Sequence, residues 1–202
     1  MNLTLYGNRE SGHAYKVKLF LALAGIAHRY VPVDLETPRA ERPADFRAVA
    51  KFGEVPVLVI DGTPHVQSDA ILLHLARLTG RFGGGTDARV LEWHFWAANR
   101  INLSVPNLRF YRRYPAEAPA GAVAWLDERA RLDLARLDEE LSDRTFLAGD
   151  DPTTADIAAC AYLFWLDQIG YDIAHWPAIG AWLDRIRALP GWAAPYELQA
   201  AS

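Results

Sequence analysis

Two adjacent residues, Val55 and Pro56, have the chemistry to bind an extended, peptide-like ligand. They precede the apolar run Val57–Ile60. Proline has no backbone N–H and can form a cis bond, which would turn the N–H and C=O of Val55 outward as one donor and one acceptor. Spacing alone leaves the trans form open, since only about one in twenty X–Pro bonds is cis. The pair therefore marks a candidate binding edge.

A predicted helix start follows one hairpin later. Asp61–Gly62 is a strong hairpin signal that pairs Val57–Ile60 with residues 64–67. Ser68 then occupies the N-cap position of a helix that Gly80 would end. The bare N–H groups at a helix start favour carboxylates, so this position is suited to an acidic ligand group. The alternative is that Ser68 only caps its own helix.

Composition excludes several classes of protein. Of the 202 residues, 51% are hydrophobic, which is enough to build real cores. The net charge of −4 is unlike that of a nucleic-acid surface, which needs clustered positive charge. No apolar run approaches the roughly 20 residues of a membrane helix. The single cysteine, Cys160, excludes an internal disulfide, and the six histidines lack ligand spacing, so no metal is expected. Cytoplasmic localisation follows as an expectation.

The pattern of the chain changes near residue 80. Residues 1–80 predict an α/β layer with a strand, a helix, a second strand, and then the hairpin and helix described above. Residues 81–87, which include three glycines, are predicted to be a linker. Residues 88–202 are predicted to be all helical. The first-half elements are expected at Leu3–Tyr6, 15–24 and 30–33.

Two signals support the helical second half. One face of a helix of about five turns is formed by apolar residues spaced three or four apart. These residues are Val123, Leu126, Ala130, Leu134, Leu137 and Leu141. Thr153 and Asp156 match a capping box at the start of a later helix, although Asp replaces the usual Glu or Gln.

In this order and spacing, the motifs resemble the cytosolic glutathione transferases, most closely the serine-type classes with bacterial members. The resemblance covers nearly the whole chain. It implies an N-terminal thioredoxin-like domain followed by a C-terminal helical bundle domain, with Pro56 in the cis form. The motifs that carry it are Val55–Pro56, residues 67–71, the glycine-rich linker, residues 147–156 and residues 182–190.

The same resemblance implies a site for glutathione as co-substrate, without a metal. Val55 would pair with the cysteinyl backbone, and Gln67 and Ser68 would hold the γ-glutamyl end. Two departures from the family pattern are Gln67 in place of the more frequent Glu, and residues 50–53 in place of Asn-Pro-x-Gly. The change at Gln67 weakens one possible contact with the γ-glutamyl amine.

Three residues compete to activate the glutathione thiol. In the serine-type classes the active serine follows the strand-one tyrosine by five residues, as Ser11 follows Tyr6. Tyr6 occupies the place of the catalytic tyrosine of other classes, and His13 could donate to sulfur or touch the second substrate. A further alternative is that Ser11 is only an N-cap. Asn107 and Tyr111, on the helix after the linker, are candidates to line an electrophile pocket.

The resemblance implies a detoxifying transferase that conjugates the glutathione thiolate to a small hydrophobic electrophile, and a homodimer. The alternatives are a glutathione-dependent disulfide reductase or peroxidase, and a binding protein without turnover. The isomerase class carries Ser-Ser-Cys at helix one, which Ser11–His13 does not match. Maleylacetoacetate isomerase activity is therefore less expected.

Overall fold

A computed structural model of the protein describes residues 1–83 and 87–200. The described chain divides into two compact units, one containing residues 1–83 and 189–200 and the other containing residues 87–188. Residues 84–86 of the expected linker lie outside the described residues. In the described part of the chain, every helix is too short or too polar to cross a bilayer.

The first unit is built on a four-stranded mixed sheet with the order β2-β1-β3-β4. Its strands are β1 (Leu3–Gly7), β2 (Arg29–Pro32), β3 (Val57–Ile60) and β4 (Thr63–Val66). β1 runs parallel to β2 and antiparallel to β3, and β3 forms the predicted hairpin with β4. The parallel pair requires a helical crossover, which α1 supplies.

The sequence predicted the three helices of this part of the chain with different accuracy. α1 (Gly12–Leu23) begins three residues earlier than expected, and α3 (Ser68–Thr79) ends at Gly80 with φ 69° as predicted. α2 (Ala44–Val49) was not expected. One of its six residues, Phe46, is buried and packs against Tyr6 with ring centroids 5.7 Å apart. A tertiary contact, rather than a local pattern, therefore fixes α2.

The second unit is helical. Its helices are α4 (Ala88–Asn99), α5 (Ile101–Arg113), α6 (Ala120–Leu141), α7 (Thr154–Cys160) and α8 (Pro177–Arg187), with 3₁₀ segments at Ala161–Ile169 and Ile173–His175. The predicted apolar face of α6 is confirmed from Leu126 to Leu141, because its members are buried there. The capping box of Thr153 and Asp156 is complete. The fold class expected from the sequence is thus confirmed.

The segment after residue 188 packs with the first unit and ends in α9 (Pro195–Ala200). The Tyr15 hydroxyl donates to the Ala193 carbonyl at 2.9 Å. Gly191, at φ 90°, lies so close to α1 that an added Cβ would be 2.6 Å from the carbonyl oxygen of Ala22. Residues 189–200 were expected to belong to the helical region 88–202, whereas these contacts join them to α1 of the first unit.

Candidate active site

Ser11 lies where β1 passes into α1 and is the N-cap of that helix. Its backbone is extended (φ −92°, ψ 109°), and its Oγ accepts from the Ala14 N–H at 3.2 Å. A hydroxyl that accepts one hydrogen bond keeps its own proton to donate. Ser11 is therefore a cap, as one alternative expected, and also a donor at the positive end of α1.

Asn8 organises the turn that carries Ser11, a role that the sequence reasoning missed. Its Nδ2 donates to the Val33 carbonyl at 2.8 Å, and its Oδ1 accepts from the Glu10 N–H at 2.8 Å. Its carbonyl accepts from the Ser11 N–H at 2.9 Å. An Asn directly after a strand is a turn signal, because its side chain can replace backbone partners.

Tyr6 points to the opposite face of the sheet from α1. The neighbouring Gly7 faces α1, since an added Cβ on Gly7 would lie 3.1 Å from the Ala14 Cβ. Successive residues of a strand point to opposite faces, so Tyr6 faces α2 and packs on Phe46. Burial, followed by the nearby Asp45 carboxylate, raises the pKa of the Tyr6 phenol. The structure thus places Tyr6 in a packing cluster, and its catalytic role stays a prediction.

His13 lies on the first turn of α1 and is half-buried. Burial lowers the pKa of its imidazole to about 3; the positive Lys16 adds to the effect, and Asp69 opposes it. The ring is therefore neutral near pH 7. A neutral imidazole can donate an N–H to a ligand but does not supply a positive charge to a thiolate.

Val55 lies just beyond the end of the β1–β3 ladder, whose last pair is Tyr6 with Val57. The Val55–Pro56 bond is cis, as the resemblance implies. The Val55 side chain packs against the cluster of Tyr6 and Phe46. Among the described residues, no backbone hydrogen bond reaches its N–H or C=O. The backbone of the described chain thus leaves both groups unpaired.

α3 begins at Ser68, one residue earlier than an N-cap role for Ser68 requires. Gln67 is the N-cap, with φ 69° and ψ 113° and no capping bond from its side chain. A non-glycine residue at positive φ is strained, typically by about 1–3 kcal/mol. Ser68 is 6% exposed, and its Oγ donates to the Asp69 carboxylate at 3.4 Å. The helix start beside the Ser68 hydroxyl is therefore not capped by the Gln67 side chain.

A buried ion pair joins α1 to α3. Lys16 is fully buried, and its Nζ lies 3.4 Å from the Asp69 Oδ2. A lysine on an apolar helix is ordinarily expected at the surface, so this pair could not be predicted from local sequence. It holds the helix that Ser11 caps against the helix that starts at Ser68.

Asn107 and Tyr111 lie on α5 of the helical unit. Asn107 is exposed, and its Nδ2 donates to the Leu103 carbonyl of the preceding turn at 2.7 Å. Tyr111 is half-buried, with its ring edge against Phe110 at 5.6 Å between centroids. Their assignment to an electrophile pocket stays a prediction. No cluster of three or more potential metal ligands occurs in residues 1–83 and 87–200.

Two family models match the chain. Residues 11–78 match the glutathione S-transferase N-terminal domain, and residues 105–190 match the glutathione S-transferase C-terminal domain. The first match begins at Ser11 and includes the segment from Val55 to Ser68. The second match covers most of the helical unit.

Individual proteins give the same result. The chain is 29% identical to the disulfide-bond oxidoreductase YfcG of Escherichia coli, over 88% of this chain and 87% of that protein. It is 33% identical to a maleylacetoacetate isomerase of Rhizobium meliloti, over 90% and 89% of the two chains. The crystal structure of a glutathione S-transferase from Xanthobacter autotrophicus superposes with a TM-score of 0.87 at 31% identity, covering both chains completely.

Proposed function

Because this chain belongs to the glutathione S-transferase family, we propose that its N-terminal unit binds glutathione and lowers the pKa of the thiol for attack on a hydrophobic electrophile. The observation that carries this proposal is the Ser11 hydroxyl, which caps α1 as an acceptor and keeps its proton to donate. The sulfur would lie in front of this hydroxyl.

The residues of the first unit fit two parts of glutathione, the cysteinyl backbone and the γ-glutamyl end. The open N–H and C=O of Val55 match the backbone of the cysteinyl residue, which is extended in a strand-like ligand. The start of α3, which has no side-chain cap, matches the γ-glutamyl carboxylate. The Ser68 hydroxyl donates to Asp69 in the structure and would turn its proton to this carboxylate when glutathione binds. Gln67 adds an exposed amide beside this carboxylate. Its strained backbone supports a binding role, because such strain persists mainly at functional positions.

Activation of the thiol needs a modest free energy. A free cysteine thiol has a pKa of about 8.5, so only a few per cent is ionised at pH 7. A shift of two units, about 2.7 kcal/mol, would make most of it thiolate. A hydrogen bond from Ser11 to the thiolate and the positive end of α1 together have this magnitude. The thiol proton leaves to water, and the thiolate forms a bond to the electrophilic carbon. An aromatic halide then loses its halide ion, whereas in an unsaturated carbonyl the C=C bond is broken and the α-carbon takes a proton from water.

A second candidate function is disulfide reduction, which the similarity to YfcG favours. The protein's single cysteine, Cys160, is buried in α7 and does not belong to the first unit. Reduction would therefore use two glutathiones. The first thiolate would attack the disulfide and release one substrate thiol, and the second would release the other thiol and form oxidised glutathione.

The test is a substrate panel with wild type, Ser11→Ala and Ser11→Thr, in which Thr keeps a hydroxyl. The panel contains aromatic halide and unsaturated carbonyl electrophiles, a hydroperoxide, a small disulfide and maleylacetoacetate. Conjugation that falls at least tenfold in Ser11→Ala and is retained in Ser11→Thr supports the proposal. Activity on the disulfide alone supports the second function. Tight glutathione binding without any turnover would indicate the third alternative, a binding protein.

We further propose that the protein is a cytoplasmic homodimer. Three exposed aromatic side chains supply apolar surface that an assembly could cover: Phe52 in the turn after α2, Phe95 on α4 and Trp125 on α6. The single free cysteine is consistent with a reducing compartment. Gel filtration with light scattering tests the assembly, and a mass of one chain at micromolar concentration would contradict it.

A further inference from the structure

α9 holds the turn that carries Ser11. The Gln199 Nε2 donates to the Arg9 carbonyl at 2.9 Å, and the Tyr196 hydroxyl donates to the Glu10 carboxylate at 2.9 Å. The Arg9 guanidinium also lies over the Tyr196 ring, 5.1 Å from its centroid. The two residues that immediately precede Ser11 are therefore both contacted by a helix more than 180 residues away in the chain.

The turn is thus fixed from two sides. Asn8 ties it to the sheet through the Val33 carbonyl, as described above. α9 ties its next two residues to the closing segment, which itself is joined to α1 through the hydrogen bond of Tyr15. The position of the Ser11 Oγ relative to the Ala14 N–H depends on both ties, because Ser11 is the next residue along the backbone.

A glutamine at position 199 is not the residue expected if its side chain only stabilised the fold. Its side chain is 4% exposed, and its Oε1 makes no hydrogen bond within the described chain. A buried acceptor without a partner costs free energy, which offsets the single bond made by Nε2. A methionine would fill a similar volume without this cost. The bond to Arg9 is therefore better explained by where it places the backbone than by how much it stabilises the fold.

We propose that Gln199 and Tyr196 are positioning residues that set the Ser11 hydroxyl for thiol activation. This inference rests on the proposed function, in which Ser11 donates to the glutathione sulfur. Neither residue touches the reacting atoms. They act through the backbone of Arg9 and the carboxylate of Glu10.

The test compares wild type with Gln199→Met, Tyr196→Phe and the double variant. Glu197→Gln is the control, since Glu197 is exposed on the same helix. Two quantities are measured: the pKa of the bound glutathione thiol from thiolate absorbance, and the hydrogen exchange rate of the Ala14 amide. The double variant is expected to raise the thiol pKa by about 0.5–1 unit and to lower kcat/KM at pH 6.5 by about three- to tenfold. Ala14 should exchange at least threefold faster, while Glu197→Gln matches wild type.

The outcomes separate the two proposals. A thiol pKa in wild type equal to that of free glutathione contradicts the proposed function, and the Ala14 exchange rate then tests the positioning role by itself. A lowered thiol pKa in wild type that is unchanged in the double variant, together with unchanged Ala14 exchange, overturns the positioning role. Urea unfolding of each variant checks that the comparison is made on folded protein, and Tyr196→Phe alone serves if Gln199→Met does not fold.

Discussion

The starts of α3 and α7 differ in how the N–H groups at a helix start are capped. At α7 the side chains cap the helix start: the Thr153 Oγ1 accepts from the Ala155 N–H, and the Asp156 carboxylate accepts from the Thr153 N–H and hydroxyl. The same carboxylate also accepts from the Leu147 N–H and the Trp182 indole. At α3 the N-cap residue Gln67 makes no capping bond and is held at positive φ. A complete cap stabilises its own unit, whereas a strained helix start without a side-chain cap is suited to a ligand.

Ser11 combines both properties at the start of α1. Its oxygen caps the helix, but its proton is left to donate. Hydrogen bonding by capping side chains is therefore greatest at α7, intermediate at α1 and least at α3, and suitability for a ligand increases in the same order. Stability should respond most to changes at α7, and ligand chemistry to changes at α1 and α3.

The largest expected effect is on stability at α7. Asp156→Ala should lower the free energy of unfolding by about 3–5 kcal/mol, because it leaves several buried donors without an acceptor. Urea unfolding followed by circular dichroism measures the loss. The exposed Asp151 supplies the control, and Asp151→Ala should stay within about 0.5 kcal/mol of wild type. Equal losses in the two variants would break the contrast between the helix starts.

Low pH should destabilise the first unit, which contains the candidate site, through protonation of His13 in the unfolded state. The pKa of its imidazole is about 3 in the folded protein and about 6.5 when unfolded, so below pH 6.5 the unfolded state binds more protons. Stability therefore falls as the pH falls. From pH 7.5 to 5.5 wild type should lose about 1 kcal/mol more than His13→Gln, as measured by urea unfolding at each pH. Parallel pH profiles would show that His13 titrates normally in the folded chain.

A matched pair of cap substitutions should separate binding from stability. Ser68→Ala should weaken glutathione binding about tenfold, or about 1.4 kcal/mol, with a smaller change in unfolding free energy. Thr153→Ala should lower the unfolding free energy by about 1–2 kcal/mol and leave glutathione affinity unchanged. Calorimetric titration and urea unfolding measure the two quantities. The reverse pattern, with affinity lost in Thr153→Ala, would remove the distinction between α3 and α7.

The smallest expected effect concerns the strain at Gln67. Glycine adopts positive φ without steric cost, so Gln67→Gly should raise the unfolding free energy by up to about 1 kcal/mol. Glutathione affinity should fall, because the side-chain amide is lost. Gln67→Ala, which keeps the strain, is the control and should show the weaker binding without the gain in stability. A loss of stability in Gln67→Gly would mean that the native conformation is not strained.

Local signals predicted most of the elements that position the site. The proline strand, the hairpin at Asp61, the end of α3 at Gly80 and the cap at Thr153 depend on residues close in sequence, and all four are present. The cis form of Pro56 came from the resemblance and not from spacing. The predicted start of α3 was one residue late, because the positive φ of Gln67 cannot be read from residue type.

The missed features depend on contacts between distant segments. α2 is too short to have a helical period of its own and is fixed by Phe46 against Tyr6. The burial of Lys16 depends on Asp69 of another helix. The ties from α9 to the turn before Ser11 join the two ends of the chain. Composition and periodicity carry no information on such pairs.

The pKa of the glutathione thiol bound to wild type and to Ser11→Ala tests the central claim most directly. It is measured by titrating thiolate absorbance at saturating protein, with Ser11→Thr as the variant that keeps a hydroxyl. The thiol pKa should lie about two units below that of free glutathione in wild type and rise by at least about one unit in Ser11→Ala. The same lowered pKa in wild type and Ser11→Ala would contradict the assignment of Ser11 as the donor to sulfur.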